Sequence, residues 1–347
     1  MTSHEKYIKR CIQLARNGLG TTYPNPLVGS VIVHENKIIG EGWHYKSGEP
    51  HAEVYAIQSV KNESLLKDAT IYVSLEPCSH YGKTPPCSDL IIEKGIKKVV
   101  IGTIDPFAKV SGTGIQRLMN AGCDVIVGIL EKECQELNKR FFTFHKKKRP
   151  YIILKWAQTK NNFIAPDTTT KRAPVWITTK YSRQLVHKWR AEEQGILVGN
   201  QTVIKDDPKL TIRDWQGKHP VRVIIDRSGS IPKNSAVLDK KTKTIVITSE
   251  KFEKDNTKNL IYEIIEPKTK QVKQICDILY RQDIQSIIIE GGTFTIQSFI
   301  DENIWDEARV FEGNTIFENG VKAPVIKGNL ISEEKIMTDT LKIYQND

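Results

Sequence analysis

His51-Ala52-Glu53, Pro77-Cys78 and Pro85-Pro86-Cys87 are the stretches whose reading decides how the first half of the chain folds. One imidazole and two thiolates supply three ligands for a tetrahedral zinc ion, and the fourth position is left for water. Glu53, two residues after the histidine, lies beside such a metal rather than on it and can carry the proton that the water gives up. A structural zinc site usually fills all four positions with protein ligands, so three ligands plus a proton carrier point to catalysis. The chemistry that suits this set is hydrolytic deamination of an amino-bearing ring carbon.

Working outward, His51–Val60 reads as a helix headed by the histidine. Thr70–Leu75 reads as a strand that runs into Glu76-Pro77-Cys78, and Cys87–Lys94 as a second helix that follows a proline. Metal-ligand segments at helix starts have a physical use, because the positive end of the helix dipole favours the thiolate. Eight residues separate the two cysteines, where nucleobase deaminases usually have two. The inserted Ser79–Pro86 segment carries His80, Lys83 and Thr84 and is expected to set specificity.

Around this centre, Thr2-x-x-Glu5 is a capping-box pattern ahead of Ile8, Cys11, Ile12 and Ala15 at helical spacing. Leu27–Val33 and Ile38–Gly42 form a predicted hairpin across Glu35-Asn36-Lys37. Val99–Gly102 and Asp124–Ile129 read as strands, and Gly114–Ala121 and Glu131–Phe142 as helices. Strands alternating with helices imply an α/β unit with a largely parallel sheet covered on its faces. The pattern resets near residue 147: Tyr151–Lys155 opens a second series with clear strands at Gly195–Val198, Val221–Ile225, Thr244–Ile247 and Ser286–Ile289. Helices are expected at Tyr181–Glu192, Val272–Arg281 and Phe294–Asp301. Two domains follow, residues 1–146 and 147–347.

Composition narrows the class. Hydrophobic residues make up 39% and charged residues 27% of the chain, as in folded globular proteins, and no apolar run reaches the length of a membrane span. The start has no signal-peptide core, and six cysteines in 347 residues fit metal ligands in a reducing cytoplasm better than a disulfide framework. The formal charge of +10 is spread along the chain, which fits anionic small-molecule substrates better than a nucleic-acid surface. The dense run Lys146-Lys147-Lys148-Arg149 reads as a solvated linker.

Taken together, Pro24-Asn25-Pro26-Leu27-Val28-Gly29, His51-Ala52-Glu53 and Pro77–Cys87 resemble the bifunctional riboflavin-biosynthesis deaminase-reductase family. In the second half Trp176-Ile177-Thr178, Arg190-Ala191, Thr202–Arg213 and Glu290-Gly291-Gly292 match that family's reductase domain, so the likeness covers nearly the whole chain. The resemblance implies a cytidine-deaminase-like three-layer α/β/α domain followed by a dihydrofolate-reductase-like α/β domain. It implies deamination of 2,5-diamino-6-ribosylamino-4(3H)-pyrimidinone 5′-phosphate and then NADPH-dependent reduction to 5-amino-6-(5-phospho-D-ribitylamino)uracil.

By the same resemblance His51, Cys78 and Cys87 hold zinc, Glu53 is the proton shuttle, and Asn25 and His44 meet the first substrate. In the second domain Lys155, Gln158, Trp176, Thr202, Asp206 and the run Gly292, Thr293, Phe294, Thr295, Ile296, Gln297 and Ser298 are assigned to NADPH. Arg190, Leu210, Arg213 and Glu290 are assigned to the substrate. Two arginines suit a phosphate, and Gly292 at a helix start lets backbone amides approach one. Homo-oligomers are the rule in the family.

The chain departs from the family pattern at three places. Asn161-Asn162 stands for a usual Asp-Gly, Pro174 for a serine, and Phe107 for the asparagine of Asp-Pro-Asn-Pro. The Asn161-Asn162 and Pro174 departures motivate the rival reading of a single-activity zinc deaminase with a non-catalytic C-terminal domain.

Overall fold

The Thr2 side chain accepts the Glu5 N–H and the Glu5 carboxylate accepts the Thr2 N–H, so the first helix begins with the capping box its sequence encodes. In the computed structural model, which describes residues 2–81, 85–107, 111–167, 175–249, 256–267 and 269–346, the chain divides into two compact units, residues 1–147 and 148–347.

The first unit runs α1 (Ser3–Ala15), β1 (Gly29–His34), β2 (Lys37–Trp43), α2 (Ala52–Gln58), β3 (Thr70–Val73), α3 (Cys87–Glu93), β4 (Lys98–Ile101), α4 (Thr113–Asn120), β5 (Asp124–Val127), α5 (Glu131–Leu137) and α6 (Lys139–Lys147). The sheet order is β2-β1-β3-β4-β5. β1 is antiparallel to both its neighbours, while β3, β4 and β5 are parallel, so the sheet is mixed where a largely parallel one was expected.

Alternation along β1 sends Val31 and Val33 to one face with Ile8, Cys11 and Ile12 of α1 and Cys134 of α5. Ile32 goes to the other face, with residues of α2, α3 and α4. Three layers result. α1 crosses the sheet at Gly29, where a Cβ would lie 2.1 Å from the Cys11 carbonyl oxygen. The single helix expected over Glu131–Phe142 is two, broken at Asn138. That side chain accepts the Leu27 N–H and donates to the Leu27 carbonyl, both at 2.8 Å.

The second unit runs β6 (Tyr151–Gln158), β7 (Phe163–Pro166), α7 (Lys180–Glu192), β8 (Gly195–Gly199), α8 (Asn200–Asp206), β9 (Val221–Ile225), β10 (Thr244–Thr248), β11 (Leu260–Ile264), α9 (Gln271–Arg281), β12 (Ser286–Glu290), α10 (Thr293–Asp301), β13 (Glu307–Glu312), β14 (Gly320–Lys322), β15 (Asn329–Ile336) and β16 (Asp339–Gln345). Its main sheet has the order β11-β10-β9-β8-β12-β6-β13-β16-β15. All pairings from β11 to β13 are parallel, and the β15–β16 hairpin closes one edge antiparallel. α9 and α10 bury one face of the sheet, and Val186 and Trp189 of α7 pack on the other.

Arg149 corrects the reading of the basic run as a solvated linker, since its guanidinium is largely buried and grips Asp306 through both terminal nitrogens. Among the described residues no helix is long and apolar enough to cross a membrane.

Candidate active sites

The first site lies where the β3 segment ends and two helices begin. His51 is the N-cap of α2, Cys87 is the first residue of α3 with Pro86 as its cap, and Cys78 follows β3 through Pro77. The His51 Nδ1 lies 3.5 Å from the Cys78 Sγ and 3.4 Å from the Cys87 Sγ, and the three ligand atoms all fall within 4.8 Å of one another. Zn–N of about 2.0 Å and Zn–S of about 2.3 Å at a tetrahedral angle place nitrogen and sulfur roughly 3.5 Å apart. The donor set and its spacing therefore fit zinc.

Glu53, in the first turn of α2, is 2% exposed, and its Oε2 has no hydrogen-bond partner. Burial pushes its pKa up to about 7, against the pull of His51. The Cys78 thiol is drawn down to about 4 by the hydrogen bond from Cys87 and by His51, while the Cys87 thiol is raised. The Cys87 N–H at the start of α3 also donates to the Cys78 Sγ at 3.3 Å, a contact that favours the thiolate a metal needs.

His44 and Asn25 sit together beside the ligands. The Asn25 Nδ2 donates to the His44 Nε2 at 3.0 Å, the His44 Nδ1 donates to the Pro50 carbonyl, and the His44 and His51 rings meet edge-on at 5.4 Å. In the inserted segment His80 is exposed, whereas Lys83 and Thr84 lie outside the described residues.

One organising residue was missed by the sequence reading although it directly precedes Pro77-Cys78. The buried Glu76 carboxylate accepts the backbone N–H groups of Asp105, Gly112, Gly114 and Ile115, which ties the end of the strand segment to the start of α4. Arg117 of α4 then donates to the Ser79 carbonyl and the Asp89 carboxylate, bracing the segment between the cysteines. Phe107, in place of the family's asparagine, turns into an apolar group with Leu75, Phe141 and Phe142 and lies 5.0 Å from the His145 ring.

The second site lies at the carboxyl ends of parallel strands, where ligands bind in open α/β sheets. Register alone sets Glu290 of β12 opposite Lys155 of β6. The Glu290 carboxylate takes Arg190 of α7 at 2.8 Å and has Lys155 at 3.7 Å. Burial works to raise its pKa, but the Arg190 and Lys155 cations outweigh that and hold it down to about 2. Burial lowers the Lys155 pKa, opposed by Glu290. Arg190 also donates to the Thr211 carbonyl, which brings Leu210–Arg213 to the same place.

On the side assigned to NADPH, the Thr202 hydroxyl of α8 accepts the Gly292 N–H at 3.2 Å. Gly291 before it has φ +108° and a Cβ there would strike Thr202. Asp206 ends α8, and burial raises its carboxyl pKa. Trp176 is half exposed with the Arg183 guanidinium 4.9 Å over its face, and Phe294 is exposed at the start of α10.

Other residues of that assignment spend their side chains within the fold. Thr293 donates to the Lys322 carbonyl, Gln297 bonds Val325 and Asp301, and Ser298 donates to the Thr295 carbonyl; Thr295 and Ile296 are buried. Gln158 is held at both ends, accepting from Trp156 Nε1 and donating to Asn162 Oδ1, each at 2.8 Å.

The Asn161-Asn162 departure keeps the turn. Asn162 takes φ +63°, a left-handed conformation that asparagine tolerates better than most residues, and Asn161 bonds both backbone groups of Phe317. Pro174 lies outside the described residues.

Fold and site together define a zinc-dependent deaminase joined to a pyridine-nucleotide reductase. Residues 1–103 match the cytidine and deoxycytidylate deaminase zinc-binding region, and residues 150–334 match the RibD C-terminal domain. The chain is 43% identical to the riboflavin biosynthesis protein RibD of Aquifex aeolicus over 91% of this chain and 88% of the relative. It is 39% identical to that of Bacillus amyloliquefaciens over 93% and 88%.

Among solved structures it is similar to a diaminohydroxyphosphoribosylaminopyrimidine deaminase/5-amino-6-(5-phosphoribosylamino)uracil reductase from Thermotoga maritima, at 38% identity and a TM-score of 0.89 over 99% of both chains. It is also similar to Acinetobacter baumannii RibD, at 31% identity and a TM-score of 0.88 over 99% of both chains. The chain belongs to the RibD family: it is a bifunctional enzyme of riboflavin biosynthesis, a zinc-dependent deaminase and an NADPH-dependent reductase in one polypeptide.

Proposed function

We propose that residues 1–146 deaminate 2,5-diamino-6-ribosylamino-4(3H)-pyrimidinone 5′-phosphate and that residues 147–347 reduce the ribosyl group of the product, giving 5-amino-6-(5-phospho-D-ribitylamino)uracil. The observation that carries the first step is the buried Glu53 Oε2, without a hydrogen-bond partner and two residues from the His51 ligand.

His51, Cys78 and Cys87 hold the metal. Zinc, when bound, acidifies a water so that it can serve as a nucleophile at neutral pH. Glu53 would take one proton of that water on its carboxylate and pass it to the substrate ring nitrogen as the water oxygen bonds the amino-bearing carbon; it would then carry the second proton, from the hydroxyl so formed, to the amine, and the C–N bond breaks to release ammonia and leave the carbonyl. Asn25 and His44 orient the pyrimidine or its ribose, His44 being fixed by the Pro50 carbonyl.

In the second unit Arg190, Leu210, Arg213 and Glu290 face the substrate, with the arginines directed at its phosphate. Lys155, Gln158, Trp176, Thr202, Asp206 and residues 292–298 border the cofactor. NADPH, when bound, supplies the hydride. Glu290 keeps Arg190 in place, since an arginine with a fixed carboxylate partner presents its remaining donors in one direction.

The enzyme works in the cytoplasm as a homo-oligomer on a phosphorylated small molecule, without nucleic-acid or membrane partners. A positive charge spread over the whole chain supports an anionic small molecule rather than a nucleic acid as the partner. Purified protein given the diaminopyrimidine ribotide and NADPH is expected to release ammonia first and to oxidise NADPH only afterwards. Ammonia release with tight NADPH binding but no oxidation would favour the rival, a deaminase with a non-catalytic second domain.

A further inference from the structure

Two successive backbone N–H groups in the segment assigned to the reductase substrate end on histidine rings. The Arg213 N–H donates to the His187 Nδ1 at 3.1 Å, and the Ile212 N–H donates to the His219 Nδ1 at 3.3 Å. We infer that His187 and His219 are positioning residues for reductase substrate binding, fixing the backbone from which Leu210 and Arg213 reach the substrate. The inference rests on the assignment of those two residues to the substrate.

The geometry makes a clamp of α7. His187 and Arg190 are three residues apart and so share one face of that helix. From that face the imidazole takes the Arg213 N–H while the Arg190 guanidinium takes the Thr211 carbonyl at 3.3 Å. Donor and acceptor contacts from adjacent turns therefore fix the segment against sliding along the helix. Leu210 adds a local constraint, because it is buried at φ +53°, a conformation costly for a leucine. The chain holds this shape although it is unfavourable by itself, which calls for contacts that over-determine it.

An imidazole accepts at Nδ1 only when that nitrogen carries no proton. His187 is 1% exposed and is surrounded by Arg190 of its own helix, Arg213 and Asp214 of the facing segment and Glu290 of β12. Burial first, and then the two arginines, lower its pKa to about 4, against Asp214 and Glu290. The ring is thus a neutral acceptor at physiological pH, with its Nε2 turned toward Asp214 at 3.8 Å. A neutral residue is also what two phosphate-directed arginines require between them, since a third partner of either sign would alter how they hold an anion. His219 is exposed and holds the neighbouring Ile212 N–H.

The experiment measures reductase steady-state kinetics with the deaminated ribosylamino-uracil phosphate and NADPH, for His187→Leu, His187→Asn, His219→Leu and Arg213→Ala. His187→Leu is expected to raise the KM for the phosphorylated substrate about tenfold, the size of one hydrogen bond to a buried side chain, with kcat and the KM for NADPH within about twofold of the parent. His187→Asn places an amide oxygen near the position of Nδ1 and is expected to recover most of that loss. His219→Leu should raise the same KM about threefold, since the His219 ring is exposed where that of His187 is buried.

A raised KM for Arg213→Ala beside unchanged values for both leucine variants would overturn the inference alone. An unchanged KM for Arg213→Ala would overturn the substrate assignment and the inference with it. Should His187→Leu fail to fold, His187→Asn and His219→Leu decide: parent-like KM for the first and a raised KM for the second support the clamp, and any other pair of results overturns it.

Discussion

Glu53 shows at the scale of one residue how a fold holds a reactive group ready. A buried carboxylate oxygen without a partner carries a desolvation penalty of about 1–3 kcal/mol, and such groups persist where chemistry uses them. Glu53→Gln keeps the size and all three metal ligands but cannot carry a proton. We expect zinc content at the parent level and deamination slowed by about 10²–10⁴-fold, checked by metal analysis beside ammonia release; turnover near the parent value would remove Glu53 from the proton path. Glu290 illustrates the opposite case, a buried carboxylate kept charged by Arg190 and Lys155. Its pKa in the folded chain is depressed to about 2 from 4.5, so its contribution to stability is complete above about pH 4.5 and is lost as the pH falls toward 2. Denaturation of the parent between pH 5 and 2 should therefore show a steeper loss of stability than that of Glu290→Gln, and identical slopes would count against the ion pair.

Helices and strands bring these residues together by contacts that sequence patterns record unevenly. Gly114, in the first turn of α4, has no room for a side chain: a Cβ would lie 2.1 Å from the Pro77 carbonyl oxygen, one residue before the Cys78 ligand. Gly114→Ala must push α4 away from that strand end, and backbone crowding of this kind costs about 1–3 kcal/mol. The expected result is weaker zinc retention against a chelator and slower deamination, with reduction unaffected; parent-like zinc retention and deamination would show that α4 does not support Cys78. The elements that carry the first site were legible because their apolar periodicity and their start signals agree, as at Thr2-x-x-Glu5, His51 and Pro86-Cys87. The break at Asn138 was not, because its cause is Leu27, 111 residues away. β13 escaped for a different reason. Its Glu307 and Arg309 are buried as a pair inside the strand, with Tyr151 donating to Glu307, so the charges hide a core strand behind a surface-like pattern. In the same way the zinc ligands declared themselves by residue type and spacing. Glu76, His187 and His219 did not, since they act on backbone amides and those leave no trace in side-chain chemistry.

Across the molecule, two compact units each have their own sheet, their own buried clusters and a site of different chemistry. The first needs a metal held by one imidazole and two thiolates; the second is built around Lys155, Arg190 and Glu290, none of which belongs to a metal-ligand group among the described residues. Metal removal therefore separates the activities. Thiolate-rich zinc sites release their ion to a strong chelator, faster at mildly acidic pH where thiolates protonate. After 1,10-phenanthroline treatment and removal of the chelator, ammonia release should fall below a few per cent of the parent rate, while NADPH oxidation with pre-deaminated substrate stays within about twofold. Stoichiometric zinc should restore the first reaction and leave the second unchanged. A parallel fall in both rates would mean that the reductase depends on the integrity of the zinc unit, and the two sites could no longer be treated as separate chemical centres carried on one chain.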